Sequence, residues 1–514
     1  MKTGSRLLAN STWNAAAFVV GVGLNLVILP FVVRRLGVAS FGIAGLVIAS
    51  IAPALILSNS LALMIARELA QRLGSAKREE ARQFMATALF IGLVAGIPLA
   101  VLFPLAGPAL AQRAFNLSGD FARDLLAAFC FGALGWLCQC IAGVFLALFV
   151  ARQDYARLAL INIAGTLVST LLMLLLIPRW PVASTYLACQ MAGFAANLLL
   201  AALLSRLLLP QWTALPVLHR SSLASLLHTG KWQAVAQGGG LVSGQADRYL
   251  LGAFLQPQSV GYYSIAQRLE EAIYIGVLKI GEILFPFFSS LQGEGEGRVG
   301  ELFFRAAWVL NVLAVGVLGA LIPVAGSLLR LWTGAEVALE GQRVLIVLAV
   351  AGILGSGTNV FAFYLLANGR TGTNAAIALV TALFTLGTSA VALPIFGWPA
   401  AGWSSCAGAL AQLVMMTVLL RRSFDLPDIW LRVWHFVLMP IALGLACAGL
   451  LRVWISGYGF GQSVAWLQVA AWYAFSAAAI LAVVIGFSSI GRYGGICRSD
   501  LYRIAARFFP AWSV

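Results

Sequence analysis

Charged residues recur at helical spacing within one otherwise apolar stretch, residues 262–290. They are Arg268, Glu271, Lys279 and Glu282. At 100° per residue, these four side chains fall within a sector of about 80° around a helix. A mixed stripe of this kind has two uses. Its charges can neutralise one another as a structural clamp, or they can line a wet cavity and bind an ionic ligand.

A second polar stripe precedes the first, in residues 232–255. Its members span about 100° of a helix, and they are Gln233, Gln237, Gly240, Gly244, Asp247 and Arg248. A clamp would pair Asp247 with Arg268 and Lys279 with Glu282. Because Gln and Gly share the charged face and the stripe extends beyond either pair, we favour a solvated face that contacts a ligand.

The composition determines which elements must position these side chains. Of the 514 residues, 61% are hydrophobic and only 10% are charged, and the mean hydropathy is +0.93. A soluble surface needs about a quarter of its residues charged, so the chain is predicted to be an integral membrane protein. In such a protein, the net charge of +15 is explained by Lys and Arg in cytoplasmic loops. Nucleic acid is not an expected partner, whereas the lipid bilayer is.

Apolar segments of membrane-spanning length predict an all-α protein with about fourteen transmembrane helices. The predicted spans are 13–33, 42–66, 84–111, 125–150, 158–177, 184–205, 232–255, 262–290, 303–326, 343–367, 374–395, 401–420, 435–455 and 464–488. The seventh and eighth spans are the most polar, and they carry the two stripes. With both termini inside, 22 of the 33 Lys and Arg residues lie on the cytoplasmic side and 8 on the outer side, as the positive-inside rule requires.

An internal repeat appears when the chain is shifted by 218 or 219 positions. Ser40-Phe41-Gly42 matches Ser259-Val260-Gly261, and Ala151-Arg152 matches Gly369-Arg370. Trp180-Pro181-Val182-Ala183 matches Trp398-Pro399-Ala400-Ala401. The repeat predicts an N-terminal lobe over 1–205, a cytoplasmic linker over 206–231 and a C-terminal lobe over 232–420. Helices 13 and 14 and a cytoplasmic tail then occupy 421–514. Repeats of this kind are typical of transport by alternating access.

The first lobe offers weaker candidates. Asn25 shares one face of the first span with Asn14 and Gly21, although small and polar residues at this spacing most often serve helix packing. Arg67, at the end of the second span, is a candidate for phosphate contact within an ordinary cytoplasmic loop. The seven cysteines and three histidines show no metal-ligand spacing, so neither a metal nor a cofactor is expected. Walker A and GxSxG motifs are absent from the sequence, which argues against an enzyme.

Several segments together resemble the polysaccharide transporter family. These are Leu24-Asn25 through Leu29-Pro30, Arg35-Leu36-Gly37, Phe41-Gly42, Asp247-Arg248-Tyr249-Leu250-Leu251-Gly252 and Val260-Gly261-Tyr262-Tyr263. This family belongs to the multidrug/oligosaccharidyl-lipid/polysaccharide exporter superfamily. The resemblance covers essentially the whole chain, and the Asp-Arg-x-x-Leu-Gly stretch is its most specific element.

The resemblance implies a flippase of the bacterial inner membrane with a basic cavity between its lobes. Its substrate would be an undecaprenyl-diphosphate-linked oligosaccharide, destined for O-antigen, capsule or exopolysaccharide export. Arg248, Arg268 and Lys279, with Asn25, Gln237 and Arg67, would then contact the substrate. Asp247, Glu271 and Glu282 would tune their charge or carry a coupled ion. A polysaccharide polymerase or export complex is the further partner implied.

Other functions remain open at this point. A lipid II flippase also has fourteen helices, and a drug/cation antiporter of the same superfamily generally has twelve. The net positive face disfavours cationic drugs. A membrane-embedded glycan polymerase or ligase would need large outer loops, and the longest here is about 13 to 16 residues on the predicted topology. A scaffold without transport activity is the remaining alternative.

Overall fold

The computed structural model is helical wherever it describes the chain, and the described residues contain no strand. The described residues are 2–74, 78–115, 120–208, 216–219, 223, 235, 238–240, 244–245, 247–281, 284, 288, 291, 296–397, 400–424, 426, 428–457, 465–490 and 493–499.

Six long helices make up the first part of the chain: α1 (Lys2–Leu36), α2 (Val38–Gly74), α3 (Arg78–Phe115), α4 (Asp120–Ala151), α5 (Tyr155–Leu176) and α6 (Ala183–Leu208). After a short helical segment at 247–254 come α7 (Pro257–Gly281), α8 (Glu296–Gly319), α9 (Leu321–Trp332), α10 (Ala335–Ala367), α11 (Thr371–Phe396) and α12 (Trp403–Ser423). The last elements are α13 (Ile429–Val433), a π-helical turn (Trp434–Leu438), α14 (Met439–Gly457) and α15 (Trp466–Ser488).

Within the described residues, twelve helices are long and apolar enough to cross a membrane. They coincide with predicted spans 1 to 6 and 9 to 14, which confirms the all-helical membrane architecture. Predicted span 8 corresponds mainly to α7, which is continuous over 25 residues but is not among the twelve apolar helices. Predicted span 7 is described only in part, mainly over 247–255.

The first four helices extend beyond the apolar runs that predicted them. Between α1 and α2 only Gly37 is non-helical, and its φ of +82° suits glycine because it has no Cβ.

The predicted single span 303–326 is wrong as drawn, since α8 ends at Gly319 and α9 begins at Leu321. Pro323 lies in the first turn of α9, where its missing N–H leaves no helical hydrogen bond unmade.

Contacts divide the chain into two compact units. Unit 1 comprises Met1–Ser264 with Leu393–Trp398, and unit 2 comprises Ile265–Ala392 with Pro399–Val514. In unit 1, a core around Phe84, Leu148 and Phe149 contains residues of all five helices from α2 through α6. Because lipid tails are as apolar as these side chains, close van der Waals packing is what stabilises such contacts in a membrane. The division into lobes at 206–231 and 421 stays a prediction.

Unit 2 has its own core, which is rich in aromatic rings. Phe303 of α8 contacts Phe361 and Tyr364 of α10, with ring centroids 6.1 Å apart in both pairs. Phe436 in the π-helical turn lies 5.9 Å from Phe304. These edge-to-face and tilted contacts join α8, α10 and the π-helical turn into one packed group.

The three matched segments of the internal repeat are its anchors, numbered in chain order. The first, Ser40-Phe41-Gly42 with Ser259-Val260-Gly261, forms a direct contact within unit 1. A Cβ added at Gly42 would collide with the carbonyl of Pro257, and one added at Gly261 would collide with the carbonyl of Val38. Val38 and Pro257, like Gly42 and Gly261, are 219 positions apart in the sequence. The beginnings of α2 and α7 therefore pack against each other reciprocally, as repeat-related elements can around a two-fold axis.

The second anchor is displaced by two residues from the match drawn on sequence. The turn after α4 contains Gln153, with φ +56°, and the turn after α10 contains Gly369, with φ +69°. In each turn the left-handed residue donates three residues back and the next residue donates five back, which is the Schellman pattern. Equivalent positions are thus Gln153 and Gly369, an offset of 216. The third anchor lies partly outside the described residues.

Candidate functional site

The most specific part of the sequence motif is anchored by a hydrogen bond inside unit 1. The Tyr263 hydroxyl donates to the Asp247 carboxylate at 2.7 Å, and both residues are 2% exposed. A carboxylate needs such donors to be buried at low cost. Asp247 is therefore part of the packing that joins α7 to the segment 247–254, and its expected role in tuning charge or carrying an ion stays a prediction.

The neighbours of Asp247 in the motif serve the same packing. The Arg248 guanidinium is 6% exposed, and it donates to the Gln245 side chain at 2.9 Å. The Tyr249 hydroxyl donates to the Ala49 carbonyl of α2 at 2.5 Å. The motif thus fastens the segment 247–254 to α2 and α7. The binding role predicted for Arg248 stays a prediction.

The charged stripe on α7 is half-buried, whereas Asp247 and Arg248 are buried. Arg268, Glu271 and Lys279 are all half-buried, and they share one face because the helix is continuous from Pro257 to Gly281. All three belong to unit 2. Glu282, the fourth member of the predicted stripe, lies outside the described residues. The described part of the stripe therefore presents two cations and one acid that are neither fully exposed nor enclosed.

Glu270 was not among the predicted site residues, although it is the buried acid of α7. It is 7% exposed, and a Cβ added at Gly352 of α10 would lie 2.6 Å from its Oε1. On a helical wheel, Glu270 lies 200° from Arg268, so it falls outside the predicted charged stripe. The signal that could have found it is a polar pair at positions i and i+4, Glu270 and Tyr274.

The structure describes the remaining predicted residues to different extents. Asn25 is exposed, and its amide donates to the Gly21 carbonyl of its own helix at 2.8 Å. Arg67 belongs to α2, but its side chain lies outside the described part of the chain, as does Gln237 altogether. Their roles stay predictions.

A second buried polar group in unit 2 went unnoticed in the sequence. Asn311 of α8 is fully buried. Its amide donates to the Phe436 carbonyl at 3.2 Å, and its oxygen accepts from the Ser356 hydroxyl at 2.8 Å. Four residues after Phe436 the chain has Pro440, which has no N–H to donate, so this carbonyl lacks its usual helical partner. Asn311 therefore links α8, α10 and the π-helical turn.

Comparison with known proteins agrees with this geometry. Residues 7–292 match the polysaccharide biosynthesis protein family. The uncharacterized membrane protein EpsK of Bacillus subtilis (strain 168) is 25% identical over 334 residues, which are 63% of this chain. The matched region spans 65% of the length of that relative.

Solved structures share the fold. A lipid II flippase, MurJ, in an inward closed conformation superposes with a TM-score of 0.65 at 12% identity, covering 93% of this chain and 98% of that one. An inward-facing multidrug resistance MATE transporter of the MOP superfamily gives 0.65 at 13% identity, covering 79% and 99%. A MOP superfamily transporter from Pyrococcus furiosus gives 0.59 at 15% identity, covering 80% and 95%. None of these descriptions is that of an enzyme.

Proposed function

The chain belongs to the polysaccharide biosynthesis protein family and shares the fold of MOP superfamily transporters, and we propose that it is a flippase for lipid-linked oligosaccharides. Its substrate is an undecaprenyl-diphosphate-linked repeat unit of an O-antigen, capsule or exopolysaccharide. The protein moves this unit from the cytoplasmic to the periplasmic leaflet of the bacterial inner membrane by alternating access.

The observation that carries the proposal is the cationic stripe of α7. Arg268 and Lys279 lie half-buried on one face of a helix in a chain with twelve apolar spans among its described residues. A charge near the bilayer centre costs about 2.5 to 3.5 kcal/mol on insertion scales, so such groups normally face a water-filled cavity or one another. A diphosphate is a suitable ligand, because its oxygens accept charge-assisted hydrogen bonds from both cations.

The rest of the substrate fits the same arrangement. Sugar hydroxyls need polar surfaces, which the stripe supplies through Glu271 between the two cations. The polyprenyl chain is as apolar as the bilayer and can remain in lipid throughout. The termini are expected in the cytoplasm on the positive-inside rule, and a polymerase or export complex would receive the flipped product.

Lipid II is the second candidate substrate, and one observation favours it. The lipid II flippase structure covers 93% of this chain, whereas the MATE structure covers 79%, so the long form of the fold is the better match. Lipid II carries the same undecaprenyl diphosphate, and the cationic stripe does not distinguish the two. The family match is what favours a polysaccharide repeat unit.

Depletion of the protein in its host separates these substrates. We expect lipid-linked polysaccharide repeat units to accumulate, protected from a membrane-impermeant glycan oxidant in intact spheroplasts, while cell-wall synthesis continues. Re-expression of the wild-type chain should restore surface polysaccharide. Accumulation of lipid II and lysis would assign the protein to peptidoglycan instead, and normal levels of both lipids would refute the flippase function.

A further inference from the structure

Glu270 is pressed between helices of unit 2. Its Oε1 lies where a side chain at Gly352 of α10 would begin, and Leu318 of α8 approaches the same point. The residue is 7% exposed. Gly352 is therefore the position that leaves room for the carboxyl group, because any side chain there would have to displace it.

Among the residues that the structure describes, this carboxyl group has no cationic partner. The titratable groups beside it are Glu271 and Tyr274 of its own helix. On α10, Gly352 lies next to its Oε1, and the neutral Asn359 donates its amide to the Tyr274 hydroxyl at 2.7 Å. Leu318 of α8 approaches the same point beside Gly352.

A carboxylate without a cation in such surroundings is strongly disfavoured, whereas the neutral acid is tolerated. Glu271 adds to this, because two adjacent negative charges repel each other. The packed arrangement of α7 on α10 therefore requires a proton on Glu270, and ionisation of Glu270 requires that water reach it.

We propose that Glu270 is a proton-binding group of the transport cycle, protonated when α7 packs on α10 and ionised when this contact opens to water. The carboxylate takes one proton from water to become the acid, and the acid returns it to water on the side to which it is then exposed. No other bond forms or breaks. The inference rests on the proposed transport function for its place in a cycle.

A proton suits this site better than a metal cation. A hard cation such as Na⁺ or Ca²⁺ binds through several oxygen ligands. In the described part of the chain, no group of three or more His, Cys, Asp or Glu residues could hold a metal ion. The point beside Gly352 that Oε1 of Glu270 approaches is also approached by a leucine methyl group and a phenol ring.

The protonation state can be measured without any transport assay. Infrared difference spectra of the purified full-length protein, recorded against pH, should show the carbonyl stretch of a buried carboxylic acid at neutral pH. Glu270→Gln should remove this band and Glu271→Gln should leave it. Gly352→Ala, which pushes a methyl group against Oε1, should shift its frequency and provides an assignment even if the glutamine variant is poorly folded. A band insensitive to both Glu270→Gln and Gly352→Ala would overturn the proposal.

The second measurement concerns coupling. Vesicles containing the wild-type protein and a fluorescent undecaprenyl-diphosphate oligosaccharide should flip the lipid faster when a pH gradient is applied. Glu270→Gln should retain flipping and lose this dependence, whereas Glu340→Gln, at an exposed acid of α10, should retain both. If wild type flips the lipid and Glu270→Gln still responds to the gradient, the inference fails and the proposed function stands. If wild type flips nothing, the proposed function fails, and the infrared band alone decides whether Glu270 binds a proton.

Discussion

The hydrogen bond between Tyr263 and Asp247 should be a measurable part of the stability of unit 1. Tyr263→Phe removes one donor from a carboxylate that is 2% exposed, at a bond length of 2.7 Å. Hydrogen bonds to charged groups contribute about 1.5 to 3 kcal/mol. Because both partners are buried, we expect a loss of free energy of unfolding near the upper end, about 2 to 3 kcal/mol.

Tyr249→Phe provides the matched control. Its hydroxyl donates to the neutral carbonyl of Ala49, so the same chemical change should cost only about 0.5 to 1.5 kcal/mol. Reversible unfolding in mixed micelles, by titration with a denaturing detergent, would give both values. A double-mutant cycle with Asp247→Asn isolates the pair, and the coupling energy should account for most of the loss caused by Tyr263→Phe.

Two results would refute this reasoning. Equal losses for the two tyrosine variants would mean that the charge of Asp247 contributes nothing to the bond. Full stability of Tyr263→Phe together with abolished polysaccharide export would mean that the pair acts in transport and not in packing.

Two further predictions concern the stripe and the repeat contact. Arg268→Ala and Lys279→Ala should each accumulate near the wild-type level, because a solvated stripe leaves no acid buried without a partner, but polysaccharide export should collapse. Immunoblots measure protein abundance, surface polysaccharide measures export, and Arg330→Ala is the exposed control. A fall in abundance that matches the fall in export would favour the structural clamp instead. Gly42→Ala should sharply reduce the yield of folded protein in detergent because its methyl group would meet the backbone of α7, whereas Gly21→Ala, with nothing within 4 Å, should not; equal yields would argue against the reciprocal contact.

The membrane architecture could be predicted because hydropathy over about 20 residues reports directly on the bilayer. The end of α8 at Gly319 could not be predicted, because the apolar run continues through the break and hydropathy carries no information about the direction of the backbone. The repeat was visible, but its register at Gln153 and Gly369 depends on left-handed backbone conformations. A glycine in the sequence indicates that such a conformation can occur, whereas a glutamine gives no such indication.

The candidate site was predictable only in part, for a related reason. Helical periodicity places Arg268 and Lys279 on one face whatever surrounds them. It cannot say which face packs against a neighbouring helix, and so it missed Glu270 opposite Gly352. It also could not show that Asp247 is buried and hydrogen-bonded to Tyr263, sixteen residues away.

Flipping by the purified protein tests the central claim most directly. The full-length chain would be reconstituted in liposomes with a labelled undecaprenyl-diphosphate oligosaccharide, and the fraction in the outer leaflet would be read from its sensitivity to a membrane-impermeant quencher. We predict rapid equilibration of this lipid between leaflets with the wild-type protein and slow equilibration with Arg268→Ala. A labelled phospholipid should remain unflipped with both. No equilibration of the oligosaccharide lipid by a correctly folded wild-type protein, with or without a pH gradient, would contradict the account.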